Sequence, residues 1–162
     1  LRAARTYGHN PQAERVVAHF SRVGEHAAVW LAIGALGMAV DAPRRRRWRG
    51  ASIRVLGTYA LNTAIKQVVH RRRPQLAGLP PLTSTPTTLS FPSAHASTAF
   101  AGALAYSRLG VPAGPLYALA ASLAFSRLYL GVHYPSDVFA GMLLGTLIVG
   151  CAAPVQSAGS AS

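Results

Sequence analysis

Five apolar segments, each closed by a proline, a glycine, a histidine or a cysteine, set the terms for any fold this chain can reach. They cover residues 26–40, 51–70, 93–109, 113–129 and 136–151. Hydrophobic residues make up 51% of the sequence and charged residues 12%, about half the ~25% charged share of a typical soluble domain. The pattern predicts an all-α fold: an integral membrane bundle of about five transmembrane helices. Several segments fall short of the ~20 residues that usually cross a bilayer core, so some are expected to lengthen at their ends or to thin the membrane locally.

Ahead of these segments, residues 11–24 place Val16, Val17, Phe20 and Val23 at helical spacing, with Arg15, His19 and Arg22 between them. That arrangement predicts an N-terminal amphipathic helix lying at the membrane interface. Residues 1–10 are expected to be flexible, and residues 1–25 hold no continuous apolar run of the kind a cleavable signal needs. Residues 11–153 then form one membrane-embedded domain, and 154–162 a disordered tail. The connection 74–92, rich in Pro, Thr and Ser, has no periodicity and serves as a linker or a gate. Cys151 is alone, which rules out an intramolecular disulfide and predicts a small apolar packing role.

Charge narrows the function. Sixteen Lys and Arg face four Asp and Glu, for a net charge of +12. Such a balance suits nucleic acid or membrane surfaces, and the apolar segments favour the bilayer and no nucleic acid. The run 44–49, which carries Trp48, reads as a basic interfacial loop. The acids Glu14, Glu25, Asp41 and Asp137 are scattered. Two-metal phosphatases need clustered carboxylates, so no metal and no cofactor are expected, and any phosphate chemistry falls to cationic side chains.

Polar residues in or beside apolar segments are costly and mark function. Lys66 lies near the end of the second segment, with Arg73 just beyond it. Ser93 and His95 open the third, Arg127 lies near the end of the fourth, and His133 and Asp137 bracket the start of the fifth. Alternating helix direction brings these groups to one membrane face and the 44–49 run to the other. Guanidinium groups and a lysine suit phosphate oxygens. The helix start at Ser93, a plausible N-cap after Pro92, adds backbone amides for an anion. Two histidines allow one to attack phosphorus and the other to protonate the leaving oxygen, while a carboxylate beside one of them sets its tautomer.

These residues carry a resemblance. Lys66, six intervening residues and Arg73-Pro74 are similar to the first motif of the type 2 phosphatidic acid phosphatase superfamily. Pro92-Ser93-Ala94-His95 resembles its second motif, Pro-Ser-Gly-His, with Ala94 in the glycine's place. The third, Ser-Arg, five residues, His, three residues, Asp, resembles the stretch from Ser126-Arg127 through His133 to Asp137. The resemblance spans about residues 60–150 and implies the six-helix core of that superfamily. It also implies that His133 attacks phosphorus to form a phosphohistidine, with Asp137 orienting it. His95 protonates the leaving group and then activates water, and Lys66, Arg73, Ser93, the Ala94 amide and Arg127 hold the phosphoryl oxygens. Alanine keeps the N–H at position 94 but disfavours positive φ, so the site is expected to work if it needs only a helical amide there.

Gly24-Glu25-His26, with the segments 90–95 and 130–137, further resembles a narrower group of short actinobacterial members, the decaprenylphosphoryl-5-phosphoribose phosphatases of cell-wall arabinan synthesis. That resemblance implies a polyprenyl-linked lipid substrate in a bacterial plasma membrane. Rival readings are a polyprenyl pyrophosphate phosphatase, a phosphatidylglycerophosphate phosphatase, a vanadium haloperoxidase with a similar pocket, and a non-catalytic protein binding anionic headgroups. His9, His19 and His26 are placed at the surface or interface, and His70, Arg71 and Arg72 at the interface or at lipid headgroups rather than in catalysis. Basic residues are nearly balanced between the two faces, and the dense 44–49 run tips the site toward the outer face.

Overall fold

One alanine-rich helix, Ala94–Ser107, forms the axis of the molecule. Its sequence explains that position. Ala96, Ala99, Ala101, Gly102, Ala103 and Ala105 leave its flanks nearly flat, so neighbouring helices approach closely from three sides and bury it almost completely. The computed structural model describes residues 1–152, and the tail expected at 154–162 lies outside them. In chain order the helices are α1 (Arg2–Thr6), α2 (Pro11–Arg22), α3 (Ala28–Val40), α4 (Arg45–Val69), α5 (Ala94–Ser107), α6 (Ala113–Tyr129) and α7 (Pro135–Cys151). Short 3-10 turns at Glu25–Ala27 and Ala42–Arg44 precede α3 and α4. Among the described residues only isolated bridges, such as Arg72 with Leu89, depart from an all-α fold.

α5 packs on α4, α6 and α7, and α3 lies mainly along α4. The α5–α7 seam is the tightest, because Gly141 and Gly145 of α7 rest on the backbone of α5. A Cβ at Gly141 would stand 2.6 Å from the Ser93 carbonyl oxygen, and one at Gly145 would fall onto that of Ser97. On the α3 side the contact is aromatic. Tyr106 stacks between Trp30 (6.5 Å) and Trp48 (5.5 Å), and its hydroxyl donates to the Trp30 carbonyl at 2.7 Å.

Three local expectations change. The basic run 44–49 is not a loop: α4 begins at Arg45, so four of its arginines ride the first turns of a helix. Trp48 is buried, with its indole N–H donating to Asp41 Oδ2 at 2.9 Å. The α4 face reaching toward α3 needed an aromatic there, and helical spacing turns Trp48 inward with Ala51, Ser52 and Val55. Residues 1–10, expected to be flexible, carry α1. Arg5 is 4% exposed, donates to the Pro80 and Tyr129 carbonyls at 2.7 and 3.3 Å, and His9 stacks on Tyr129 at 3.9 Å. Finally, Cys151 is exposed rather than packed.

Large apolar side chains also lie on the outer surface. Phe139, Leu143 and Leu147 form an exposed i, i+4, i+8 line on α7, opposite the glycines that face α5. Leu36 and Val40 on α3 and Ile53, Leu56 and Leu61 on α4 are exposed as well. Among the described residues no single helix is long and apolar enough to cross a membrane. Pro11–Arg22 and Glu25–Val40, bent by 48°, meet that requirement jointly.

Candidate active site

Lys66, on the last turn of α4, is drawn inward by two carbonyls and donates to Pro92 O at 2.6 Å and Ser90 O at 3.1 Å. His70, in a left-handed conformation at φ 52°, ends that helix and swings the chain so that Arg73 follows on the same side. The long 74–92 connection is tied at its base. Ser90 N–H donates to Arg71 O at 2.7 Å and Arg73 N–H to Thr88 O at 3.2 Å. The same stretch borders the site, where Arg73 Nε donates to Thr87 O at 2.9 Å. Ser93 caps α5 and is fully buried, accepting the Ala96 N–H at 3.5 Å. Ala94 is the first helical residue, and it is absent from the positive-φ positions, so alanine meets no backbone penalty where the family has glycine.

These segment ends surround one cavity of about 100 Å³, open to solvent and lined by Lys66, Arg73, Ala94, His95, Arg127 and His133. Six of the eight residues singled out in the sequence therefore share its wall. The other two stand behind it. Ser93 shapes the helix start, and its own N–H donates to the Asp137 carbonyl at 2.9 Å. Asp137 sits at the first turn of α7 at 0% exposure, its Oδ2 accepting the Tyr134 N–H at 2.9 Å.

Hydrogen bonding specifies the tautomer of His133. Arg73 Nη1 lies 3.0 Å from His133 Nε2, and a guanidinium can only donate, so Nε2 carries a lone pair. The ring proton then sits on Nδ1, which faces Asp137 Oδ2 at 3.5 Å, an ion-pair distance rather than a short hydrogen bond. Burial pushes the His133 imidazole well below its ordinary 6.5; the Asp137 carboxylate opposes that shift, and Arg73 adds to it. The ring is therefore neutral and basic at Nε2 at physiological pH. Burial also draws the Arg73 guanidinium down to about 10, still far above neutrality, so its charge persists.

α2 supplies partners that the sequence did not reveal. His95 Nε2 donates to the Ser21 carbonyl at 3.0 Å, while Arg127 Nη1 donates to Ser21 Oγ at 2.6 Å. Arg127 Nε is buried without a protein partner, a donor suited to a phosphoryl oxygen. Gly24 rests on the His95 ring; a Cβ there would stand 2.9 Å from its Cδ2. Ser21 gave no signal, being one polar residue among several in an amphipathic stretch. Arg71 was misplaced in the same way. Instead of facing headgroups, it donates to Asp137 Oδ1 at 2.9 Å and Ser136 Oγ at 2.8 Å, with its guanidinium 4.2 Å from the Tyr134 ring centre. No local spacing could announce a partner 66 residues away.

Among the described residues no three His, Cys, Asp or Glu side chains gather as metal ligands. The arrangement instead joins a neutral imidazole, three cations, a second imidazole and a helix N-terminus, a set suited to holding and transferring a phosphoryl group.

Comparison with known proteins agrees with that chemistry. The chain is 43% identical over 128 residues to the decaprenylphosphoryl-5-phosphoribose phosphatase of Mycolicibacterium smegmatis, covering 78% of this chain and 68% of that one. Its fold resembles Aquifex aeolicus LpxE, with a TM-score of 0.77 at 23% identity over 91% of this chain and 88% of that one. It also resembles a transmembrane PAP2 type phosphatidylglycerolphosphate phosphatase from Bacillus subtilis, with a TM-score of 0.73 at 25% identity over 92% and 78% of the two chains. Residues 49–158 match the PAP2 superfamily, which takes in every cavity-lining residue named above, and the chain belongs to that superfamily.

Proposed function

We propose that this protein is an integral membrane phosphatase that hydrolyses a phosphomonoester on a polyprenyl-linked lipid through a phosphohistidine, without a metal. The substrate we assign is decaprenylphosphoryl-5-phosphoribose, a precursor for cell-wall arabinan, and the membrane is the bacterial plasma membrane with the site toward its outer face. The single observation that carries the reaction is the bare Nε2 of buried, neutral His133, held 3.0 Å from Arg73 at the wall of a cationic cavity. The named relative supports the substrate, and the large apolar side chains on the outer surface support the bilayer.

In this mechanism Lys66, Arg73 and Arg127, with the Ala94 amide, grip the phosphoryl oxygens and neutralise the charge that builds on them. His133 Nε2 attacks phosphorus. As the N–P bond forms, the bond to the substrate oxygen breaks, and His95, entering as an imidazolium beside the bound phosphate and keeping its Nε2–H on the Ser21 carbonyl, gives that oxygen its Nδ1 proton. Asp137 stabilises the positive charge that the His133 ring acquires. Water then enters, His95 takes its proton, and hydroxide displaces phosphate from His133, returning both rings to their starting states.

Purified protein in detergent, assayed on decaprenylphosphoryl-5-phosphoribose and on decaprenyl diphosphate, tests the reading. The wild type is expected to prefer the phosphoribosyl lipid and to retain its activity in EDTA. His133→Ala is expected to lower phosphate release by about a thousandfold or more while still inserting into membranes. Unchanged release from that variant would remove His133 from the reaction, and preference for the diphosphate would overturn the substrate.

A further inference from the structure

The cavity has a second side that phosphate chemistry does not use. Beside the cations it is lined by Glu25 and His26 of the turn before α3 and by Tyr59, Thr63 and Gln67 of α4, the helix that also carries Lys66. These residues bring a carboxylate, two hydroxyls, an amide and an imidazole to the cavity next to the phosphate-binding groups. The turn that presents Glu25 is held in an unfavourable backbone shape. His26 and Ala27, neither of them glycine, adopt φ of 51° and 62° in succession, a left-handed pair that persists only where surrounding contacts enforce it. Those contacts are visible. Ala27 is 1% exposed in the core, and the Tyr59 hydroxyl meets His26 Nδ1 at 2.8 Å. An extended or helical path would cost less, but would not present Glu25 to the cavity beside α4.

We propose that Glu25, Tyr59 and Thr63 form a subsite for an uncharged, hydroxyl-bearing group carried next to the substrate's phosphate, and that Glu25 rejects a second phosphate there. The inference rests on the phosphatase reading of the same cavity. A carboxylate accepts hydrogen bonds and donates none, so it pairs with a hydroxyl of the substrate, while Thr63, whose own O–H goes to the Tyr59 carbonyl at 2.9 Å, can accept from another. A diphosphate bound with its terminal phosphorus at His133 would bring its second anionic group toward this wall, where like charge opposes it. Discrimination of this kind comes from an unfavourable contact to the wrong ligand as much as from a favourable one to the right ligand. Glu25 also interacts through space with Arg127. An effect by that route would change the grip on every phosphate alike, which separates it from a subsite.

The readout is the ratio of kcat/KM for decaprenylphosphoryl-5-phosphoribose to that for decaprenyl diphosphate, measured in one preparation so that the folded fraction cancels. In Glu25→Gln this ratio is expected to fall by about tenfold or more, through loss on the first lipid and gain on the second. Thr63→Val, at an exposed position where folding is not at stake, is expected to lower the ratio by loss on the first lipid alone. A wild type that releases phosphate while both variants keep its ratio within twofold would overturn the subsite and leave the phosphatase intact. A wild type inactive on both lipids would overturn both. A parallel change on the two lipids would reduce Glu25 to a partner of Arg127 and also sink the proposal.

Discussion

At the scale of single residues, the chemistry depends on how Asp137 divides its charge. One oxygen accepts the Tyr134 amide and faces His133 Nδ1, and the other is held by Arg71. Arg71 therefore tempers the pull of Asp137 on the imidazole. Replacing it by alanine leaves the carboxylate's full charge acting on His133, which raises the basicity of the ring. The burial of His133 keeps Nε2 unprotonated well below 6.5. The acid limb of kcat/KM is accordingly expected to lie low in the wild type and to move up in Arg71→Ala, since a more basic ring protonates sooner as pH falls. The substrate's own phosphate titrates identically in both proteins, so the difference between the two profiles isolates the enzyme. A kcat loss with the limb unmoved would reduce Arg71 to a structural contact. The same comparison shows why sequence reading found His133, Asp137 and Arg127 but misplaced Arg71. The first three sit at fixed short spacings across one helix junction, whereas Arg71 reaches its partner only through the fold.

At the scale of elements, the α5–α7 seam sets the geometry of both histidines. α5 carries Ser93 and His95, α7 carries Asp137, and Gly141 and Gly145 let the two backbones touch. Gly145→Ala places a methyl group on the Ser97 carbonyl, a backbone atom that cannot swing aside. We expect a destabilisation of about 1–3 kcal/mol and a Tm lower by several degrees in detergent, read by thermal unfolding. Gly57, with no atom within 4 Å of its virtual Cβ, provides the control, and equal losses at Gly57 and Gly145 would refute the close-packing account. The helices themselves were legible as apolar segments bounded by proline and glycine. The junction between α2 and α3 was not, because Ser21 and Gly24 acquire their importance only when α2 folds back beside α6 and lays them on Arg127 and His95.

For the whole molecule, large apolar side chains lie both inside and outside. The centre packs Trp30, Tyr106 and Leu123 among alanines, glycines, serines, Asn62 and Lys66, while Phe139, Leu147 and Val40 face outward. Such a surface is covered by lipid in the proposed setting. The protein expressed in bacteria is expected to stay with membranes through alkaline carbonate washing and to require detergent for release; recovery in the wash supernatant would refute the embedded reading. The short helices do not count against it, since α2 and the segment leading into α3, joined at a 48° bend, offer more apolar length together than either alone, and a bilayer thins around short spans.

Local order along the chain was enough to determine the helical class, the positions of the main helices and most of the polar residues that come to line the cavity, because apolar periodicity and motif spacing are properties of neighbours in sequence. Only the tertiary structure decided which lone pair of His133 faces the cations, that Ser21 and Arg71 support His95, Arg127 and Asp137, and that Glu25 shares their cavity. Those facts depend on distances between segments up to a hundred residues apart. Hydrogen-bond direction and burial, which assign protons and charges, do not exist until the segments meet.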